Sequence, residues 1–282
     1  MDFYIVIPAY NEGAYLERTL QSLVEQSLLP KRIIVVDDSS SDNTLGIAKS
    51  FSEIHPFVSV ISNTSSKEHL PGSKVISAFN AGLKELDEQY DILCKFDADL
   101  IFPKNYLETI ASAFQKNEKC GMAGGFCYIL KDEEWVLESL TNKDHIRGAL
   151  KAYRRKCFQQ IGGLKKSMGW DTVDELLAKY HGWDVITNEN LRVKHLKPTG
   201  TNYAAKAGKK QGEAFRKMRY GFLLTLIASG KLALKKKNIG YFFSAIGGFL
   251  KFNDNYIVTK QEGRFIRKLR WLAIRKKLMG SN

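Results

Sequence analysis

The sequence predicts an α/β fold, a mostly parallel sheet flanked by helices, with a C-terminal helical extension. Three observations carry the prediction. Short apolar runs alternate with segments of helical period, as βαβ units do. Two of the runs end in acid pairs, Asp37-Asp38 and Asp97-Ala98-Asp99, which suits the ligand edge of an open sheet. Charge is segregated: residues 1–200 carry a net −3 and residues 201–282 a net +16.

The elements follow in chain order. Residues 3–8 form a first buried strand, and Ala9 to Gly13 turn. Leu16, Leu20, Leu23 and Val24 recur at helical spacing, and Pro30 closes that unit. Residues 32–36 make a second strand, after which Ser39-Ser40-Ser41-Asp42 supplies N-cap chemistry for a helix reaching Phe51. Residues 57–61 are a third strand. A polar loop over 62–73 leads into a helix from Lys74 towards Glu88, then a fourth strand at 91–96, and Pro103 opens the next helix. Gly121 to Ile129 reads as a strand in which Gly124 and Gly125 mark close substrate approach or a bulge. Residues 146–161 hold a strand and a short helix. A further helix starts near Trp170, and residues 190–197 alternate into an edge strand ending at His195-Leu196-Lys197-Pro198. Residues 206–279 read as helices, with Phe215, Met218, Phe222, Leu223, Leu226 and Ile227 on one face. This reading gives one domain over 1–200, with halves 1–118 and 119–200, and a basic extension over 201–282.

With 282 residues, 44% hydrophobic and 11% aromatic, the chain can bury a sizeable core. Cys94, Cys120, Cys127 and Cys157 have no CxxC spacing and read as reduced thiols, not as a zinc site or disulfide framework. The first strand begins at Phe3, which leaves no room for a signal peptide. Tyr220–Gly230 and Asn238–Leu250 are the longest uncharged runs of the tail, and both fall short of the about 20 residues a membrane span needs. A cytoplasmic protein is expected. Lys235-Lys236-Lys237 beside the aromatic-rich 238–250 segment suits peripheral contact with the inner face of an anionic membrane, with a helical cover over the catalytic domain as the alternative. The same charge suits nucleic acid, but no nucleic-acid motif accompanies it.

The chemistry centres on Asp97 and Asp99. Residues i and i+2 of an extended chain point to one side, so the two carboxylates face one ligand. Such charges repel unless a cation sits between them, and a hard divalent ion with oxygen ligands is the simplest solution. No Gly-x-Gly-x-x-Gly follows the first strand, which argues against a dinucleotide-binding domain.

Four blocks together resemble glycosyltransferase family 2, the inverting enzymes of GT-A fold: Ile5-Val6-Ile7-Pro8-Ala9-Tyr10-Asn11-Glu12, Val35 to Thr44, Phe79-Asn80-Ala81-Gly82, and Phe96-Asp97-Ala98-Asp99. The resemblance spans about residues 3–200 and implies transfer of a sugar from a nucleotide-diphospho-sugar to a hydroxyl acceptor, in surface polysaccharide or glycolipid assembly. It implies that Pro8, Ala9 and Tyr10 border the nucleobase, that Glu12 lies near ribose or base, and that Asp38 accepts from a base N–H. Lys74 would reach a phosphate. Asp97 would sit by ribose and metal, Asp99 would ligate Mg²⁺ or Mn²⁺, and His195 would complete the metal or diphosphate site. The base that takes the acceptor proton follows a Gly-Glu pair in the family. Here the block is Gly169-Trp170-Asp171, so Asp171 takes the role by position, with Asp174 and Glu175 as rivals. Two departures stand out. Trp170 replaces an acid, and Ala78-Phe79-Asn80 lacks the arginine of the common Ala-Arg-Asn block. Trp170 and Trp183 stack on a sugar or pack, with one of them expected to line the acceptor cleft, and loops 63–73 and 128–150 are expected to select the sugar, the nucleobase and the acceptor. A sugar nucleotidyltransferase would need a basic glycine-rich loop where Pro8–Gly13 stands, and a non-catalytic basic module for membrane or nucleic acid is the other alternative.

Overall fold

In a computed structural model that describes residues 1–64, 73–138, 143–197, 207–253 and 255–280, the first strand is the centre of the design. All of β1 (Phe3–Ala9) except Pro8 is buried. β2 (Arg32–Asp37) and β4 (Ile92–Phe96) pair with it in parallel on either side, and β3 (Val58–Ser62) extends beyond β2. The chain moves outward from β1 through α1 (Leu16–Val24) and α2 (Thr44–Ile54), then returns through α3 (Ser73–Lys84) to β4 on the other side. Strand order therefore reverses between β1 and β4, the place where open α/β sheets hold ligands. α3 comes close to the sheet because residue 82 is glycine: a Cβ there would lie 2.7 Å from both Val6 Cγ1 and Val36 Cγ2. The glycine of the Phe79–Gly82 block is thus a packing residue.

The other half of the sheet is mixed. β8 (Leu150–Arg154) runs antiparallel to β4, and β6 (Cys120–Lys131) antiparallel to β8. β9 (Asp184–His195) lies parallel to β6, and the two-residue β5 (Leu100–Ile101) pairs antiparallel with β9. The expected edge strand at 190–197 is therefore longer, and it is flanked by strands on both sides. β5 is too short to leave a periodic signal. β7 (Glu134–Leu137) forms a hairpin with β6. Its turn puts Asp132 and Glu133 at φ of 48° and 66°, the primed-turn geometry that Asn-Gly usually announces. The β6–β9 register shifts between Gly124 and Phe126, and a Cβ on Gly125 would lie 2.3 Å from the Leu191 carbonyl oxygen. The glycine pair marks a bulge packed against a neighbouring strand. α4 (Tyr106–Lys116), α5 (Arg155–Gln160) and α6 (Trp170–Tyr180) complete this part.

The chain divides into two units, Met1–Lys166 with Trp170–Pro198, and Ser167–Gly169 with Thr199–Asn282. The second holds α7 (Ala207–Lys217), α8 (Phe222–Lys235), α9 (Ile239–Lys251) and α10 (Lys260–Leu278). Thr259 and Glu262 close α10 with a reciprocal capping box. The apolar face expected over 215–227 is split. Phe215 and Met218 are buried, but Phe222, Leu223 and Ile227 are exposed. Arg219 and Gly221 take φ of 55° and 80°, which ends α7 and re-aims the chain before α8. Among the described residues no helix is long and apolar enough to cross a membrane. The sugar-selecting roles expected of loops 63–73 and 128–150 fall partly on 65–72 and 139–142, which lie outside the described residues, as does Pro198.

Candidate active site

Two loops are laced together above the carboxyl ends of β1 and β2. Asn11 N donates to Ser40 Oγ at 2.9 Å, Glu12 N to Thr44 Oγ1 at 2.8 Å, and Gly13 N to Asp42 Oδ2 at 2.9 Å. Ser41 N donates back to Asn11 Oδ1 at 2.8 Å. The Ser39–Asp42 block was expected to cap α2; Asn43 stands at the cap position instead, and the Ser and Asp side chains hold the first loop. Asn11 sits at φ 54°, a conformation asparagine tolerates, and it leaves Tyr10 54% exposed next to buried Ala9 and half-buried Pro8.

The Asp97–Leu100 turn is fixed from below. Thr19 of α1 donates its hydroxyl to the Ala98 carbonyl at 2.8 Å and accepts from Leu100 N at 3.0 Å. β5 then does the positioning. Leu100 pairs with His195, and Leu196 N donates to the Asp99 carbonyl at 2.9 Å. His195 Nε2 consequently lies 3.3 Å from Asp99 Oδ2. Two residues further on, Lys197 Nζ donates to Glu12 Oε1 at 2.9 Å. Asp97 is half-buried and pairs with Lys95, a lysine almost wholly buried in β4. The expected residues thus gather at one edge, with two cations that sequence reading passed over. Lys95 stands in the apolar run Leu93 to Phe96, and a lysine there was itself a signal. Lys197 shares the strand-side parity of His195, which was the only hint of its place.

Among the described residues three buried carboxylate oxygens at this edge have no hydrogen-bond partner: Glu12 Oε2, Asp37 Oδ1 and Asp99 Oδ1. Such groups are costly in a protein interior and point to a ligand. Burial raises the Glu12 carboxyl above its usual range; the Lys197 hydrogen bond opposes this and the charge of Asp99 adds to it. Asp99 and His195 offer oxygen and imidazole donors side by side, a set that fits a divalent ion such as Mn²⁺. Asp38 is buried and accepts from Asn63 Nδ2 at 2.7 Å, and Lys74 stands half-buried in the first turn of α3.

A second cluster lies on α6 and β8. Asp171 is 32% exposed in its side chain, while Asp174 and Glu175 are buried. Lys151 of β8 is fully buried and explains the difference. Its Nζ donates to Asp174 Oδ1 at 2.9 Å and to Glu175 Oε1 at 3.1 Å, and also to the Asp171 carbonyl. Tyr153 OH donates to Asp174 Oδ2 at 2.6 Å, and Glu175 Oε1 also accepts from Ile146 N at 2.8 Å. Two of the three carboxylates expected to compete as bases are therefore turned inward and committed. Burial alone would lower the Lys151 pKa, but the surrounding Asp174, Glu175 and Asp171 raise it.

His145, which sequence reading did not single out, joins the exposed acid to the buried one. Its Nε2 is 3.5 Å from Asp171 Oδ2 and its Nδ1 3.0 Å from Glu175 Oε2. Burial disfavours the imidazolium, yet the hydrogen bonds to Asp171 and Glu175 outweigh it and push the pKa up to about 9. Burial likewise works to raise Asp171, but His145 and Lys151 hold its carboxyl below the usual range. Asp171 is an ionised, partly open carboxylate with a cation behind it.

Trp170 links the two clusters. Lys95 and Lys151 face each other across β4 and β8, an arrangement that repels. The indole of Trp170 lies 5.4 Å from one ammonium and 6.0 Å from the other, and its π-face favours both. Of the two readings of Trp170, packing is the one seen here, since the ring is buried against these two lysines. Trp183 donates to Gln160 Oε1 at 2.6 Å and covers Gly121, so it too packs.

Residues 4–164 match the model of the family described as glycosyl transferase family 2. A probable glycosyltransferase, YdaM, of Bacillus subtilis is 28% identical over 192 residues, covering 64% of this chain and 42% of YdaM. The poly-β-1,6-N-acetyl-D-glucosamine synthase of Staphylococcus epidermidis is 29% identical over 120 residues, covering 43% of this chain and 27% of the synthase. The chain thus spans less than half the length of these relatives. Among solved structures, the mannosyltransferase PcManGT of Pyrobaculum calidifontis, in complex with GDP-Man and Mn²⁺, superposes with a TM-score of 0.58 at 16% identity, over 96% of this chain and 80% of that one. This likeness shows the GT-A fold. Asp171 and His195 lie beyond the segment that the family model matches.

Proposed function

The chain belongs to glycosyl transferase family 2 and is a glycosyltransferase, and from that premise we propose that it is an inverting, metal-dependent enzyme moving a sugar from a nucleotide-diphospho-sugar to a hydroxyl acceptor. The observation that carries this reading is the trio of unpartnered buried oxygens on Glu12, Asp37 and Asp99 at the carboxyl ends of β1, β2 and β4. Tyr10 offers its exposed ring to the base, and Asp37 and Asp38 accept from base or ribose. Lys74 and Lys197 supply positive charge for phosphates. Asp99, Asp97 and His195 would hold a divalent cation, which would supply positive charge to the departing diphosphate. On the acceptor side, Asp171 takes the hydroxyl proton as the oxygen–carbon bond forms and the anomeric carbon–phosphate oxygen bond breaks. His145 holds that carboxylate ionised and aimed, while Asp174 and Glu175 anchor the helix that carries it. The name of the synthase relative supports a place in surface polysaccharide assembly.

The test is a thermal-shift panel of nucleoside diphosphates with and without Mn²⁺. A ligand specific to the folded state stabilises by about 2.7 kcal/mol at a hundred times its Kd. One nucleobase should raise the midpoint in a Mn²⁺-dependent way, and Asp99→Ala should abolish that dependence. No response to any member of the panel would sink the reading.

The second unit suits peripheral contact with an anionic membrane. Phe222, Leu223, Leu234, Ile239, Phe243 and Leu250 are exposed among lysines of a segment with net charge +16. Sedimentation with vesicles should show binding that rises with phosphatidylserine content and falls with salt. Equal sedimentation with neutral vesicles would refute the electrostatic part.

A further inference from the structure

Resting on the metal reading above, we propose that Glu138 is a positioning residue that sets the tautomer of His195 and so presents Nε2 to the metal. Glu138 follows β7 and is buried, and its N–H donates to the Cys127 carbonyl at 2.9 Å. Its Oε2 lies 2.7 Å from His195 Nδ1 and also pairs with the guanidinium of Arg147. A carboxylate facing a guanidinium only accepts hydrogen bonds, so Nδ1 carries the proton in this contact. With Nδ1 so engaged, Nε2, 3.3 Å from Asp99 Oδ2, is the nitrogen left to face a metal. Arg147, Glu138, His195 and Asp99 form one chain of contacts that ends at the sheet edge. Carboxylates placed behind a metal-binding histidine orient the ring and raise its basicity.

The alternative for this cluster is a metal site of its own. Ligand atoms of Cys127, Glu138 and His195 lie within 4.8 Å of one another. One feature argues against it. The Glu138 oxygen that a metal would use is already shared between His195 and Arg147, so a cation there would confront the guanidinium. The cluster supports a ligand, and the open donor is His195 Nε2.

The test uses Mn²⁺ alone, followed by the loss of the free-ion EPR signal. Glu138→Gln should weaken Mn²⁺ binding about 10- to 100-fold, and Asp99→Ala should abolish it. Wild-type affinity in Glu138→Gln, with binding lost in Asp99→Ala, would overturn this inference and leave the metal reading intact. Wild-type affinity in Asp99→Ala would overturn both. Histidine side-chain ¹⁵N correlation spectra of the metal-free wild-type protein need no variant. They should show His195 protonated on Nδ1, and an Nε2–H tautomer would refute the proposal.

Discussion

Asp171→Asn should cut sugar transfer by about 10²- to 10⁴-fold, the usual contribution of a general base. The substitution keeps the shape of the side chain and removes only its capacity to take a proton. The loss should fall on kcat, because Asp171 belongs to the cluster on α6 and β8, whereas the nucleotide is assigned to the edge formed by Glu12, Asp37 and Asp99. Nucleoside diphosphate binding with Mn²⁺ should stay near the wild-type value in the same preparation. Release of nucleoside diphosphate from the donor identified by the panel measures the first quantity, and calorimetry the second. Transfer within about tenfold of wild type would remove Asp171 from the role. Asp174 and Glu175 would not inherit it, because both are buried against Lys151.

Lys151→Met should destabilise the fold by about 3–5 kcal/mol, the cost of removing one partner from a buried ion pair. Methionine matches the length of the stem and can still pack on Trp170. What it cannot do is neutralise Asp174 and Glu175, whose side chains are 1% and 7% exposed. At the usual scaling for a domain of this size the midpoint falls by about 6–20 °C, read by circular dichroism. The triple variant that adds Asp174→Asn and Glu175→Gln should recover part of the loss, because the stranded charges are then gone. A midpoint within about 3 °C of wild type in Lys151→Met would mean that water or a proton already compensates the acids, contrary to their hydrogen bonding.

Much of the donor edge was readable in the sequence because its signals are local. β1, β2 and β4 are apolar runs that stop at a turn or at acids, and the acids lie where parallel strands end. The acceptor side was less readable. Asp171, Asp174 and Glu175 stand in one helical turn, and nothing local separates the open carboxylate from the two buried ones. The difference is made by Lys151, some 20 residues earlier on a strand placed next to β4 by long-range pairing. Glu138 and His145 have the same cause: each acts through a partner that only the tertiary fold brings near. For Trp170 the sequence left a sugar platform and packing open, because the two buried lysines that face its ring come from strands distant in the chain.

β5 has two residues, yet it joins two distant stretches of the chain at the site. The Lys197–Glu12 hydrogen bond joins positions 185 apart, and His195 reaches Asp99 across nearly a hundred residues. Contacts of such separation carry a loop-closure cost that the rest of the fold must offset. The acids of the sheet edge come from the first hundred residues, whereas its imidazole and one of its ammonium groups come from the end of β9 and the residues just after it. A chain cut before residue 195 would keep Glu12, Asp37 and Asp99 and lose both His195 and Lys197. The two-residue strand is the catch that ties those cations to the acids.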